Sequence, residues 1–262
     1  MAMLFPQLIK ANLKTLTFGR TIEYYQRLES TNLEAFELIS ADDSTDGMVV
    51  ITDMQYQGKG RRGRSWFASP GKAVTFSVIL RLGISTEQSG LLSLAAGAAV
   101  AEALSKFGLL PVLKWPNDIR LSGKKCGGVL VETQVRNKVV EWAVIGIGIN
   151  VNEQPEELPE ELRAIATTLS VEKGAPIQRE LVVAWTLNAL EPLVNKLVNG
   201  NGNVLRSAWL ERCDHLKQSI TFNQCNEARE GTFAGITENG EAVIETAGKE
   251  VIFTGEEISL II

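Results

Sequence analysis

The residues best equipped for chemistry lie between Gly58 and Arg64, where the chain reads GKGRRGR within the longer stretch QYQGKGRRGRSWFASPGKAV. Four of these seven residues are cationic and the other three are glycine. Such a segment can clamp an anion, because glycine lets backbone amides turn toward a ligand while guanidinium groups add charge and paired hydrogen bonds. As a plain solvated turn it would be costly, since glycine loses the most backbone freedom on ordering. The spacing from Gly58 to Ser65 nearly reproduces G-x-x-x-x-G-K-[ST], with Arg64 in the lysine position. A phosphate loop of that kind opens a helix whose first amides hold the phosphates, yet here a Pro70-Gly71 turn and then a strand follow. A nucleic-acid surface fits no better. The net charge is -5 and the pI about 5.2, whereas proteins that coat a phosphate backbone carry excess positive charge. The loop is a local device in an acidic protein, suited to a small anionic ligand around which it orders.

Three further clusters accompany it. KWPND, from Lys114 to Asp118, places a cation, an aromatic ring, a rigid turn, an amide and a carboxylate in five residues; taken alone, it equally suits a tight turn with Trp115 in the core. GKKCGGVLVE puts Lys125 just before two glycines that open a buried strand, so the lysine can sit against a ligand that Gly127 and Gly128 allow to come close. GIGIN, from Gly146 to Asn150, lacks the third glycine and the following helix of a dinucleotide fingerprint. Three cysteines (Cys126, Cys213 and Cys225) without CxxC spacing read as reduced thiols of a cytoplasmic protein. With His215 the sole histidine, a zinc site is not expected. A catalytic metal would be magnesium, arriving with a nucleotide and held by carboxylate and phosphate oxygens.

The elements that must position these groups can be read from pattern. A chain of 262 residues, 45% hydrophobic and 22% charged, can bury a large core without staples. MAMLFPQLIKANLK lacks the features of a signal peptide. A first helix starts at STNLEAFELI, with Thr31 and Glu34 at capping-box spacing. GMVVITDM is a strand entering the basic loop and AVTFSVILRL a strand leaving it. TEQSGLLSLAAGAAVAEALSKFG is the clearest helix, with Ser85 and Gln88 as a capping box and Gly108 as its stop. Its alanine-rich run is broken by Glu102 and belongs to a core helix, not a membrane span. VLKWPNDIRL is a strand interrupted at Trp-Pro-Asn, and CGGVLVETQV with KVVEWAVIGIGIN forms a long hairpin about Asn137. An acidic, proline-spaced connection follows, then helices over about 178–198 and 203–212. Beyond His215, short strands separated by glycine and asparagine turns suggest a small β-barrel. The chain is thus read as α+β, with a mixed domain over 1–215 that carries every motif and a small all-β domain over 216–262.

The ordered set STN, QGKGRRGRSW, KWPND, GKKCGGVLVE and GIGIN resembles the biotin protein ligases, also called biotin–[acetyl-CoA-carboxylase] ligases. The likeness runs from about Glu29 through Asn150 and continues in the final β-rich segment with GEEISL. It implies a mixed β-sheet flanked by helices, related to the class II aminoacyl-tRNA synthetase core, with an SH3-like barrel at the C-terminus. It also implies a two-step reaction. Biotin and Mg-ATP would give biotinyl-5′-AMP and pyrophosphate, and a lysine on a biotin carboxyl carrier domain would then take the biotinyl group as an amide. By the same resemblance Ser30, Thr31, Asn32 and Gln55 would line the biotin site, where hydroxyls and amides suit a ureido ring. Lys59, Gly60 and Arg61 would cover biotin and its acyl-phosphate junction, while Arg62 and Arg64 would serve the phosphates. Trp66 would pack on the adenine, and Asn117 and Asn150 would contact the nucleotide. Gly128 and Gly148 would permit close packing. Lys125 is the leading catalytic candidate, a cation at the biotin carboxylate and α-phosphate, with Arg61 beside it. Asp118 would either bind magnesium or help deprotonate the incoming lysine, and the residues leave both roles open. Joining two anions needs cations already in place and no side-chain nucleophile, which accounts for the basic loop.

Two departures from the family pattern matter. Lys59 stands where GRGRRGR has its first arginine, keeping the charge but losing the planar fork. Only about 28 residues precede STN, too few for a winged helix-turn-helix, so a monofunctional ligase without operator DNA or membrane as partner is expected. A homodimer made by sheet-edge pairing is common among relatives, and the resemblance allows one here. A lipoate-type ligase, a biotin-responsive DNA-binding regulator and a non-catalytic biotin-binding module are the rival readings.

Overall fold

The computed structural model describes residues 3–42, 45–225 and 227–261. Seven strands form the larger sheet: β1 (Ile22–Tyr25), β2 (Val49–Thr52), β3 (Val74–Ser85), β4 (Val112–Lys114), β5 (Asp118–Leu121), β6 (Lys124–Arg136) and β7 (Val139–Ile149). They lie in the order β1-β2-β3-β7-β6-β5-β4. The β1–β2 pair is parallel and the others are antiparallel. The helices are α1 (Pro6–Ala11), α2 (Thr31–Ala41), α3 (Gly90–Ser105), α4 (Glu160–Arg163), α5 (Leu169–Lys173), α6 (Arg179–Val198) and α7 (Gly202–Leu210).

Layering follows from the apolar patterns. In β3 every residue from Val74 to Leu80 is buried, as expected for a strand covered on both faces. One cover is α3, whose residues Leu91, Ala95, Ala99 and Leu104 are apolar nearly all round because the helix lies between the sheet and α6 and α7. The opposite face carries α2, where Ala35 and Ile39 meet Val50, Ile79, Trp142 and Val144 in a smaller cluster. The N-cap of α2 is Ser30, one residue earlier than expected: its hydroxyl accepts from the Leu33 amide. Glu34 does not complete a capping box but accepts from the Tyr25 hydroxyl at 2.7 Å. The expected capping box of Ser85 and Gln88 is present, on a single 3-10 turn that leads into α3. The helix α6 is apolar and long enough to cross a membrane, yet it packs on α3 and most of its residues are buried.

Five strands follow: β8 (Ser219–Gln224), β9 (Glu227–Ile236), β10 (Ala242–Thr246), β11 (Lys249–Phe253) and β12 (Ile258–Ile261). They pair antiparallel in the order β11-β10-β9-β8-β12, so β11 and β12 end the ladder. One apolar cluster joins the two sheets, with Phe222, Phe233 and Ile244 continuous with Leu113, Trp115 and Trp209. His215 sits at this junction, fully buried, with Nδ1 2.9 Å from Asp214 Oδ1 and its ring 4.4 Å from that of Phe233. It is structural.

Candidate active site

The sheet's β3, β4, β5, β6 and β7 converge with the N-terminus of α2 on a cavity of about 180 Å³. Its wall includes Ser30, Thr31, Asn32, Gln55, Trp66, Asn117, Asp118, Lys125, Gly128 and Gly148, together with Lys59, Gly60, Arg61, Arg62 and Arg64 of the basic loop. The structure therefore brings together all but one of the residues singled out by sequence. Asn150 is the exception. It is buried, its Nδ2 donates to the Thr167 carbonyl at 3.1 Å and its amide N–H to the Cys126 carbonyl at 2.8 Å, outside the cavity wall.

On one side stand hydroxyls and amides. Gln55 Oε1 accepts from the Thr31 amide at 2.8 Å, which fixes the head of α2 against the strand exit. Asn32 Nδ2 donates to Glu132 Oε2 at 2.7 Å. Gly146 is required here, because a Cβ would overlap the Asn32 amide.

On the other side stand charges. Lys125 lies at the start of β6, where its backbone bridges to the 165–167 segment: its N–H donates to the Ile165 carbonyl and its carbonyl accepts from the Thr167 N–H, each at 2.9 Å. Its ammonium is hydrogen-bonded to the Asp118 carboxylate and lies 5.7 Å from the Trp66 ring centroid. Lys114, which sequence reasoning did not single out, also lines the cavity. Burial lowers its pKa below the ordinary lysine value, Asp118 opposes that shift, and Arg120 and Lys125 add to it. The group keeps its charge most readily when an anion arrives. Asn117 Nδ2 is committed to the Val129 carbonyl at 2.7 Å, which locks the turn after the cis Trp115–Pro116 bond. Trp115 is itself a core residue, 2% exposed, donating through Nε1 to the Gly240 carbonyl at 3.0 Å. KWPND thus forms a turn that buries Trp115 in the core while Lys114, Asn117 and Asp118 line the cavity.

Trp66 lies across the floor. Its indole rests on Gly148, where a Cβ would collide with the ring, and its Nε1 is buried without a hydrogen-bond partner among the described residues. An indole N–H in that state invites an acceptor.

The basic loop is a small hairpin folded over the cavity. The Trp66 amide donates to the Gly58 carbonyl at 2.8 Å and the Gly60 amide to the Arg64 carbonyl at 2.7 Å, with Arg62 and Gly63 at positive φ, 56° and 70°. Its far side meets the second sheet. Arg62 Nη2 lies 2.8 Å from the Gly255 carbonyl, 2.8 Å from that of Glu256 and 2.7 Å from that of Ile258. Arg61 Nη2 pairs with Glu256 Oε1 at 2.7 Å. The turn before β12 therefore serves as a shelf for the loop. GEEISL marked this segment as part of the family likeness, but its contact with the hairpin was not read, since the partners are nearly 200 positions apart, with separations of 193 to 196. Beyond the loop a second, open hollow of about 650 Å³ is lined by Tyr56, Lys59, Glu132 and Glu256 among others.

A mixed cavity of this kind, with neutral polar groups at one end and cations at the other, suits a ligand with a polar neutral head and an anionic tail. Comparison with known proteins narrows it. A family model described as the biotin/lipoate A/B protein ligase family matches residues 24–150. The chain is 34% identical to the bifunctional ligase/repressor BirA of Bacillus subtilis over 239 residues, 91% of this chain and 73% of that protein. The chain belongs to the biotin protein ligase family. It is also 28% identical to a biotin–[acetyl-CoA-carboxylase] ligase of Paracoccus denitrificans, covering 88% of this chain and 97% of that one. Among solved structures it resembles the Aquifex aeolicus biotin protein ligase in complex with biotin and ATP, with a TM-score of 0.78 and 27% identity over 92% of this chain and 99% of that chain.

Within that family setting, Asp118 is the one carboxylate among the residues lining the smaller cavity. The described residues contain no cluster of three metal-ligating side chains. One carboxylate fits magnesium held mainly by substrate phosphates and water.

Proposed function

We propose that this chain is an ATP-dependent biotin–protein ligase acting on a biotin carboxyl carrier domain. The observation that carries the reading is a single cavity lined by the Thr31–Gln55 polar corner, Lys125 with Asp118, and four cations of a glycine-rich hairpin. In the first step a carboxylate oxygen of biotin attacks the α-phosphorus of ATP, and the bond to the bridging oxygen breaks to release pyrophosphate. Two anions must meet, so the repulsion between them sets the barrier. Lys125, Arg61, Arg62 and Arg64, all in the cavity wall, offset it, and charges already in place need little reorganisation. Magnesium, when bound, would neutralise phosphate charge, with Asp118 as its protein ligand. In the second step the acceptor lysine nitrogen attacks the acyl carbon and AMP leaves. In the alternative to holding magnesium, Asp118 would accept the proton that lysine loses, from its position beside Lys125. Trp66 supplies an aromatic face beside Lys125 on which adenine can stack.

The hairpin also shields the acyl-adenylate from water. We treat residues 216–262 as a second lobe whose turn at Gly255–Ile258 holds the hairpin over its ligand. Three free thiols support a cytoplasmic, reducing setting, and the acidic overall charge supports a ligase that works without operator DNA. Incubation with biotin, ATP and magnesium tests the proposal: pyrophosphate should be released with biotin and not with lipoate. Equal release with lipoate, or none with either, would count against it.

A further inference from the structure

The Thr31–Gln55 corner has a direction imposed from behind the wall. Asn32 Nδ2 donates to Glu132 Oε2 at 2.7 Å and to the Leu130 carbonyl at 3.4 Å. Ser77 Oγ lies 2.6 Å from Asn32 Oδ1 and 2.7 Å from Thr31 Oγ1. Asn32 is 5% exposed and Ser77 0%, so an unpaired polar atom there has no solvent to turn to. Proton counting then fixes each bond. An ionised carboxylate only accepts, so Glu132 draws the amide end of Asn32 and leaves Oδ1 facing Ser77. A carbonyl oxygen also only accepts, so Ser77 spends its one proton on Asn32. Thr31 must therefore donate to Ser77, the shorter of its two contacts, since Gln55 Oε1 is 3.3 Å away. Toward the cavity Thr31 Oγ1 is left with lone pairs alone. Beside it, Gln55 Oε1 is occupied by the Thr31 amide, so Nε2 is the free, donating end.

We propose that Ser77 and Glu132 are positioning residues that set the direction of proton donation at the wall, so that Thr31 and Gln55 read an N–H beside a C=O and reject a ring oxygen in place of that N–H. The inference rests on the biotin reading above, whose ureido ring has this pattern. Ser77 does not line the cavity, and no contact of Glu132 with the smaller cavity is needed, because both act through Asn32 and Thr31.

The test compares biotin with cyclic carbamate analogues in which each ureido N–H in turn is replaced by oxygen. Binding is measured by calorimetry, and KM for biotin and for ATP by pyrophosphate release. Wild-type protein should bind biotin at least about a hundredfold more tightly than one of the carbamates, because that ring oxygen would face lone pairs. In Ser77→Ala the Thr31 proton is freed to donate to the analogue, and this ratio should fall about tenfold or more. KM for ATP at saturating biotin should hold, which a general loss of structure would not allow. Glu132→Gln, an isosteric change that lets Asn32 turn over, should lower the ratio less. Thr31→Val, which removes the acceptor but keeps the shape, should abolish the preference. An unchanged ratio in folded Ser77→Ala overturns the inference, as does wild-type protein that binds biotin and carbamate alike. Failure of wild-type protein to bind biotin at all would instead overturn the ligase reading, and this inference with it.

Discussion

Glu153 offers the sharpest quantitative test of how the segment behind the cavity is built. The residue follows β7, the strand that supplies Gly146 and Gly148, and is 0% exposed. Neither carboxylate oxygen has a hydrogen-bond partner within normal distance among the described residues. Burial pushes its pKa from the ordinary 4.5 up to about 7, and nearby backbone N–H groups of Glu153, Val151, Ser69 and Asn152 only partly offset that. The sign follows from proton uptake. Between those two values the folded state holds the proton more tightly than the unfolded chain, so stability is greatest below about 4.5 and declines as pH rises through about 7. At about 1.36 kcal/mol per pKa unit, the loss by pH 8 is on the order of 3 kcal/mol. Glu153→Gln mimics the protonated acid and cannot ionise. Urea unfolding should find the two proteins similar at pH 4.5, with the variant more stable by about 3 kcal/mol at pH 8. A stability difference that stays constant across that range would refute the reasoning, whichever protein is the more stable.

Four further outcomes follow from the site. Lys125→Ala should slow pyrophosphate release in a single turnover by roughly a hundredfold or more, the scale of losing one preorganised charge, while its partial exposure leaves the melting temperature within a few degrees; a wild-type rate would remove Lys125 from its role. Gly148→Ala should force the Trp66 indole off its seat, costing about 1–3 kcal/mol by overpacking and weakening ATP more than biotin, as read by denaturation and by KM; unaltered KM values would mean the ring is not at the nucleotide. Arg62→Ala removes a guanidinium that reaches three carbonyls on the shelf, so trypsin should cut the hairpin faster in the absence of ligand. Glu256→Ala should change cutting little, because Glu256 is 74% exposed and such pairs contribute roughly 0–1 kcal/mol.

The cationic hairpin was legible because charge and glycine are both local signals, and so was the long hairpin of β6 and β7, whose apolar alternation surrounds a polar turn. The start of α2 was misplaced by one residue, since Ser30, Thr31 and Asn32 are all competent caps and only the packed structure selects among them. Asn150, the last residue of GIGIN, was assigned to the nucleotide by the family resemblance, yet the 165–169 segment crosses back and takes its side-chain amide. Ser77 gave no signal at all. It is one hydroxyl in an apolar strand, and its meaning comes from Thr31 and Asn32, more than forty positions away. The Gly255–Ile258 segment was marked by GEEISL, but its use as a shelf was not, because sequence periodicity reports which face is buried and not which distant turn lies against it. Lys114 was visible within KWPND as a cation, but its depressed pKa depends on burial that only the folded junction creates.

The central claim is that Lys125 and the hairpin cations let two anions join and hold the product for one acceptor lysine. The most direct measurement combines the protein with biotin, ATP and a purified biotin carboxyl carrier domain, then weighs the carrier by intact mass spectrometry. A single biotinyl addition is predicted, present only with ATP and absent from a carrier whose acceptor lysine is alanine. An unmodified carrier despite bound biotin and ATP, or labelling that persists undiminished when Lys125 is replaced by alanine, would contradict it.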